Sequence, residues 1–165
     1  MARMSRRVMN LAHHGDPERP PAWRPHRLYL GRHDPGPGAR STAAVSALAA
    51  ALSARGIVKG DRILVHSKNC DEMFWSMFAA FRLGAVWVPT NFRLMPDEVA
   101  YLATASGAKG FCATAIFPIM PRRPPSPALE FIWRIGEGRR SARQSVSEAI
   151  AAHAGARGRE CRGRL

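Results

Sequence analysis

Residues 57–111, IVKGDRILVHSKNCDEMFWSMFAAFRLGAVWVPTNFRLMPDEVAYLATASGAKGF, constrain the fold more than any other stretch. Short apolar runs alternate there with longer segments of helical period. Gly60-Asp61 turns the chain into Arg62-Ile63-Leu64-Val65-His66, a strand with an apolar, partly β-branched centre. Asn69 or Asp71 is placed to open a helix, on which Phe74, Met77, Phe78 and Phe81 recur at i, i+3, i+4 and i+7. Gly84 ends that helix, and Ala85-Val86-Trp87-Val88 reads as a buried strand closed by Pro89. Pro96 suits the first turn of a second helix, with Asp97 and Glu98 near its positive end. Val99 and Leu102 are expected inward with Tyr101 beside them. Ser106-Gly107 stops the helix, and Lys109 to Ala113 forms a third strand.

Strands that alternate with helices imply right-handed crossovers and a parallel sheet, which needs helices on both faces. One further helix is expected at 41–55, where Ser41 is placed to cap, Val45, Leu48 and Leu52 share a face, and Gly56 terminates. The fold class is therefore α/β: a partial three-layer unit with a short parallel sheet, βαβαβ at about 57–113, preceded by a helix.

The flanks read differently. Residues 1–56 carry 9 basic and 3 acidic side chains, and residues 112–165 carry 10 and 4; residues 57–111 carry 6 and 5, so most of the +13 charge lies outside the α/β segment. Every basic residue outside 57–111, histidine aside, is arginine, and 11 of the 13 prolines are also there. Prolines 17, 20, 21, 25, 35 and 37 break any helix over 15–40, so 1–40 is expected to be irregular and basic. The segment 114–165 is expected to be poorly ordered, with a strand at 128–136 and a helix at 145–154 that Ser145 caps and Glu148 boxes. The domain reading is thus 1–40, 41–113 and 114–165.

Composition excludes several classes. Cys70, Cys112 and Cys161 are widely spaced and odd in number, which argues against a disulfide framework or a zinc site and for a reducing, cytoplasmic setting. There is no run of about 18 apolar residues, hence no expected membrane span. The basic flanks would favour weak nonspecific nucleic-acid contact, but no recognition motif accompanies them.

The motifs of 47–111 resemble those of the AMP-dependent synthetase/ligase family, the adenylate-forming enzymes, and within it fatty-acyl-CoA synthetases. They are Gly60-Asp61-Arg62, Asn69, Gly84-Ala85-Val86-Trp87-Val88-Pro89, Asn91-Phe92-Arg93-Leu94, Glu98, Tyr101 and Ser106-Gly107-Ala108-Lys109, in family order over about 70 residues. SPALEFIWRIGEG and SVSEAIAAHAGA are similar to later family segments. The resemblance implies an N-terminal fragment of a ligase. Its parent would join a carboxylate, expected to be a fatty acid, to ATP as an acyl-adenylate and pass it to coenzyme A with Mg. The family's S-G-T-T-G-x-P-K-G phosphate loop is absent, as are its later adenine contacts and catalytic lysine. No catalytic, cofactor-binding or metal residue is therefore carried over, and the fragment is expected to be inactive with no cofactor of its own. The flanks RPPAWRPHRLYLGRHDPGPGAR and IFPIMPRRPP depart from the family and have the composition of out-of-frame GC-rich codons. The alternative functions are a small basic nucleic-acid-binding protein or a non-catalytic interaction module that self-associates through an uncovered sheet edge.

Individual residues have ordinary roles to set against functional ones. His13, His14 and Asp16, like His26 and His33, lack the fixed geometry a metal site needs. His66 ends a strand where α/β proteins bind ligands, but a lone strand-end histidine is more often a surface residue. Arg82 and Arg93 suit solvated positions, Arg93 beside Asp97 and Glu98. The stripe Phe74, Met77, Phe78 and Phe81 is expected to be core rather than an acyl site. Cys70 near a helix start has no adjacent base to make it a nucleophile.

Overall fold

The computed structural model describes residues 38–114, 126–136 and 144–155. Among these residues eight elements run in the order α1 (Gly38–Ala54), β1 (Arg62–His66), α2 (Asp71–Leu83), β2 (Val86–Thr90), α3 (Pro96–Ser106), β3 (Gly110–Thr114), β4 (Phe131–Ile135) and α4 (Val146–Ala152). The four strands form one parallel sheet in the order β2-β1-β3-β4. The α/β class holds, with one strand more than the βαβαβ pattern alone implies: β4 pairs with β3 from Gly110↔Phe131 to Thr114↔Ile135.

Side-chain alternation builds two cores. Ile63, Val65, Cys112, Phe131, Trp133 and Ile135 face a layer made by α1, α2 and α4, where Leu48, Leu52, Ala79, Ala80, Val146 and Ala149 close over them. Leu64, Phe111 and Ala113 face the other way, toward Val99 and Ala103 of α3 and toward Leu129. Successive residues of a strand point to opposite faces, so a parallel strand covered on both sides must be apolar throughout. Ile63-Leu64-Val65 satisfies this, with all three buried.

Several local expectations shift. α1 begins at Gly38, so Ser41 lies inside the helix rather than capping it. The face of Val45, Leu48 and Leu52 is buried as expected. α2 is capped by Cys70 with no side-chain bond, rather than by Asn69 or Asp71. β2 is an edge strand, not a buried one: Val86 is 47% exposed, and Pro89 lies within the strand, where a missing N–H is tolerated. In α3, Ala103 is buried beside Val99, whereas Tyr101 is 70% exposed and does not join that face.

The core face of α2 also differs. Glu72, Ser76, Ala79, Ala80 and Leu83 are buried, while Phe74, Met77, Phe78 and Phe81 are only partly so. At about 3.6 residues per turn the aromatic stripe lies on the opposite side of the helix. Small side chains let α2 approach the sheet closely. Ser76 donates to Met73 O at 2.6 Å and accepts from Trp87 Nε1 at 3.1 Å, so its burial leaves no orphan hydroxyl. The rings instead contact one another along the helix, Phe74 tilted against Phe78 at 4.7 Å and Phe78 edge-on to Phe81 at 6.3 Å.

The motif residues at the amino ends of the strands are a structural clasp. Asp61 accepts from Val58 N at 2.9 Å and pairs with Lys109 Nζ at 3.3 Å, and Lys109 also donates to Gly56 O at 2.7 Å. Arg62 donates to Ser106 O at 2.8 Å and Gly107 O at 3.0 Å, satisfying carbonyls left open at the end of α3. Ser145 and Glu148 cap α4 reciprocally, as their spacing requires. Glu72 reaches across from α2 to accept from Ser147 Oγ and Gly136 N, tying β4 and α4 to the helix layer.

Candidate functional site

The chain passes from β1 to β2 on one side and then returns past β1 to β3 on the other. In open parallel sheets such a reversal leaves a crevice at the carboxyl ends of the strands, where ligands bind. The residues gathered there are His66, Ser67, Lys68, Cys70, Thr90, Asn91, Phe92, Arg93 and Thr114.

The floor of this region is polar, and its groups are cross-linked. His66 is 1% exposed, and its Nδ1 lies 2.7 Å from Thr90 Oγ1, which also reaches Val65 O at 3.3 Å. Thr114 Oγ1 donates to Ser67 Oγ at 2.6 Å, and Ser67 Oγ donates to Lys68 O at 2.8 Å. Ser67 Oγ is also 3.7 Å from Cys70 Sγ. Burial holds the His66 imidazole below its ordinary value, because the charged ring loses hydration there.

Above this floor stand two exposed cations and a ring. Lys68 Nζ lies 5.5 Å and Arg93 Cζ 5.4 Å from the Phe92 ring centroid, within cation–π range. The loop is shaped by Asn91, whose Oδ1 accepts from Arg93 N at 3.0 Å while its carbonyl accepts from Leu94 N at 3.1 Å. Among the described residues neither Lys68 nor Arg93 forms an ion pair. Glu98, expected beside Arg93, caps α3 instead by accepting from Met95 N at 2.7 Å. The surface is thus cationic, with an aromatic face between open charges.

Apart from His66, which lies in the floor, the remaining candidates separate from this site. His66 is buried rather than at the surface, because β1 is an inner strand whose end is roofed by polar neighbours. Arg82 is half-buried and donates to Ser46 Oγ at 2.6 Å, joining α2 to α1. Cys112 is fully buried in the sheet, and desolvation, with the Glu72 charge adding to it, pushes its thiol up to about 12. His13, His14, Asp16, His26, His33 and Cys161, with both Pro/Arg-rich stretches, lie outside the described residues. Lys68, Phe92, Thr90, Ser67 and Thr114 do not stand out in the sequence. Their shared signal is position, each at or just beyond the carboxyl end of a strand.

Residues 39–156 match the family model described as AMP-binding enzyme. The chain belongs to that family. Among curated members, a crotonobetaine/carnitine–CoA ligase from Citrobacter koseri is 39% identical over 70 residues, which is 42% of this chain and 14% of that protein. A fatty acyl CoA synthetase from Mycobacterium tuberculosis superposes with a TM-score of 0.64 at 29% identity, over 78% of this chain and 25% of the other. The anthranilate CoA ligase AuaEII, solved with anthranoyl-AMP, shares the fold with a TM-score of 0.68 at 23% identity, over 75% and 25% of the two chains. The chain therefore corresponds to about a seventh of that curated relative and a quarter of those solved structures, in the N-terminal part of the family's fold.

Proposed function

We propose that this chain is part of an acyl-CoA ligase. Such an enzyme activates a carboxylate, most simply a fatty acid, with ATP and Mg, and transfers the acyl group from its adenylate to coenzyme A. In this reading Lys68, Phe92 and Arg93 form a docking surface for the phosphate-bearing nucleotide end of coenzyme A. The observation that carries it is the pair of exposed cations on the Phe92 ring at the carboxyl ends of β1 and β2, neither in an ion pair among the described residues. An adenine ring stacks on an aromatic face, and phosphates take charge-assisted hydrogen bonds from Lys and Arg.

Residues 1–165 do not perform the ligation by themselves, because the phosphate loop that cradles ATP in the family is not among them. The reading keeps the chain in the cytoplasm, whose reducing conditions suit the free thiols of Cys70 and Cys112. No helix among the described residues is long and apolar enough to cross a membrane.

Two measurements test the proposal. Titration calorimetry is expected to show coenzyme A binding that weakens with salt and falls about tenfold or more in Lys68→Ala or Arg93→Ala, the scale of a lost hydrogen bond to a charged group. Unchanged affinity in both variants would remove the docking surface. ATP–pyrophosphate exchange is expected to be absent with any fatty acid, and clear exchange would overturn the non-catalytic part.

A further inference from the structure

We infer that His66 and Thr90 are a positioning pair that aligns the two loops carrying Lys68, Phe92 and Arg93. This rests on the docking surface proposed above and assigns what holds it together. His66 and Thr90 are register partners at the last step of the β1–β2 ladder. Beyond that step the parallel backbone pairing stops, and the side chains of the last pair are placed to tie one strand end to the next. The Nδ1–Oγ1 contact of 2.7 Å is such a tie. Lys68 lies two residues past His66, and Phe92 lies two residues past Thr90. The tie therefore sits one short step below the Lys68–Phe92 stack, and it fixes the distance between the loops that make it. A second tie, Thr114 Oγ1 to Ser67 Oγ at 2.6 Å, holds the same β1 loop to the end of β3. The Thr90 hydroxyl also bonds Val65 O, so the tie is anchored to the backbone of β1 as well as to the imidazole. His66 is buried at the base of the loops and does not itself form the cationic surface.

A ligand that spans Lys68 on one loop and Phe92 and Arg93 on the other gains most when both are pre-aligned, because ordering them on binding costs affinity. Thr90→Val keeps the β-branched shape and removes only the hydroxyl; Thr90→Ser keeps the hydroxyl. In the full chain, Thr90→Val is expected to raise amide hydrogen exchange in the loops at 68–70 and 91–94 and leave the centres of β1 and β3 as protected as before. Coenzyme A is expected to bind it about fivefold to tenfold more weakly, the fold-change of one hydrogen bond, with Thr90→Ser restoring both readouts. Loop exchange unchanged in Thr90→Val, or Thr90→Ser no better than Thr90→Val, overturns the pair. If coenzyme A fails to bind the unaltered chain, the ligand reading falls, and the exchange data alone still decide the pair. His66→Phe provides a second route to the same loss, with the same loop-confined exchange expected; exchange raised across the whole sheet would mark both side chains as merely structural and overturn the inference.

Discussion

Gly110 is the position where one added carbon tests the packing most directly. It opens β3 and pairs with Phe131 of β4. A Cβ there would lie 2.4 Å from Phe131 Cζ and 2.9 Å and 3.0 Å from the two Cε atoms. Carbon atoms in contact rest at about 3.5–4.0 Å, so the ring would have to retreat by roughly 1 Å. It has little room, because it is buried and packs on Trp133 with centroids 4.8 Å apart. Overpacking of this kind costs about 1–3 kcal/mol. For a chain of this size each kcal/mol lowers the melting temperature by about 2–4 °C. Urea unfolding followed by tryptophan fluorescence reads the effect where it occurs, since Trp133 adjoins the displaced ring. Combining Gly110→Ala with Phe131→Leu is expected to recover about 0.5–3 kcal/mol relative to the sum of the single changes, because the smaller side chain vacates the clashing volume. A Gly110→Ala variant as stable as the parent, or a penalty unchanged with Leu at 131, would refute the reasoning.

Further expectations concern charge and exposure. Ser147→Ala leaves the buried Glu72 carboxylate one donor short and is expected to cost about 1–2 kcal/mol in denaturant unfolding, with loss of α4 protection as the local sign. Cys112 is expected to resist alkylation at pH 8 until the chain unfolds, as read by mass spectrometry of its peptide. Its thiol is raised in the fold, so the native state holds the proton more tightly, and stability is expected to decline as pH climbs from about 9 toward about 12. His66 has the opposite sign: its folded value is depressed, so the unfolded chain takes up the proton first and stability is expected to fall as pH drops below 6.5. Replacing His66 with Phe should flatten that acid-side slope in pH-dependent melting. Val86 is exposed on the edge strand β2, and Val86→Lys is expected to suppress any concentration-dependent self-association seen by sedimentation, since an edge charge opposes strand pairing.

What is legible in the chain follows from local physics. The buried face of α1 is read from Val45, Leu48 and Leu52, and the start of α4 from Ser145 and Glu148, because a helix face and a capping box are complete within a few residues. β1 is similarly plain, since three consecutive apolar residues suit a strand covered on both sides. The inward face of α2 is not legible, because that helix is apolar nearly all round and its strongest stripe points away from the sheet. The edge position of β2 is equally hidden. Val86-Trp87-Val88 has the composition of an inner strand, and only the strand order shows that one side of it has no neighbour among the described residues.

By itself, then, the sequence determined the alternation of strands and helices, the capping box of α4, and the family to which these motifs belong. All are set by residues close together along the chain. The tertiary structure alone decided the order β2-β1-β3-β4 and the meeting of Lys68 with Phe92 across two loops. That meeting depends on His66 and Thr90, 24 residues apart, becoming partners at the end of a ladder. No periodicity or spacing encodes such a pairing, because it arises only when the whole sheet has buried both of its faces.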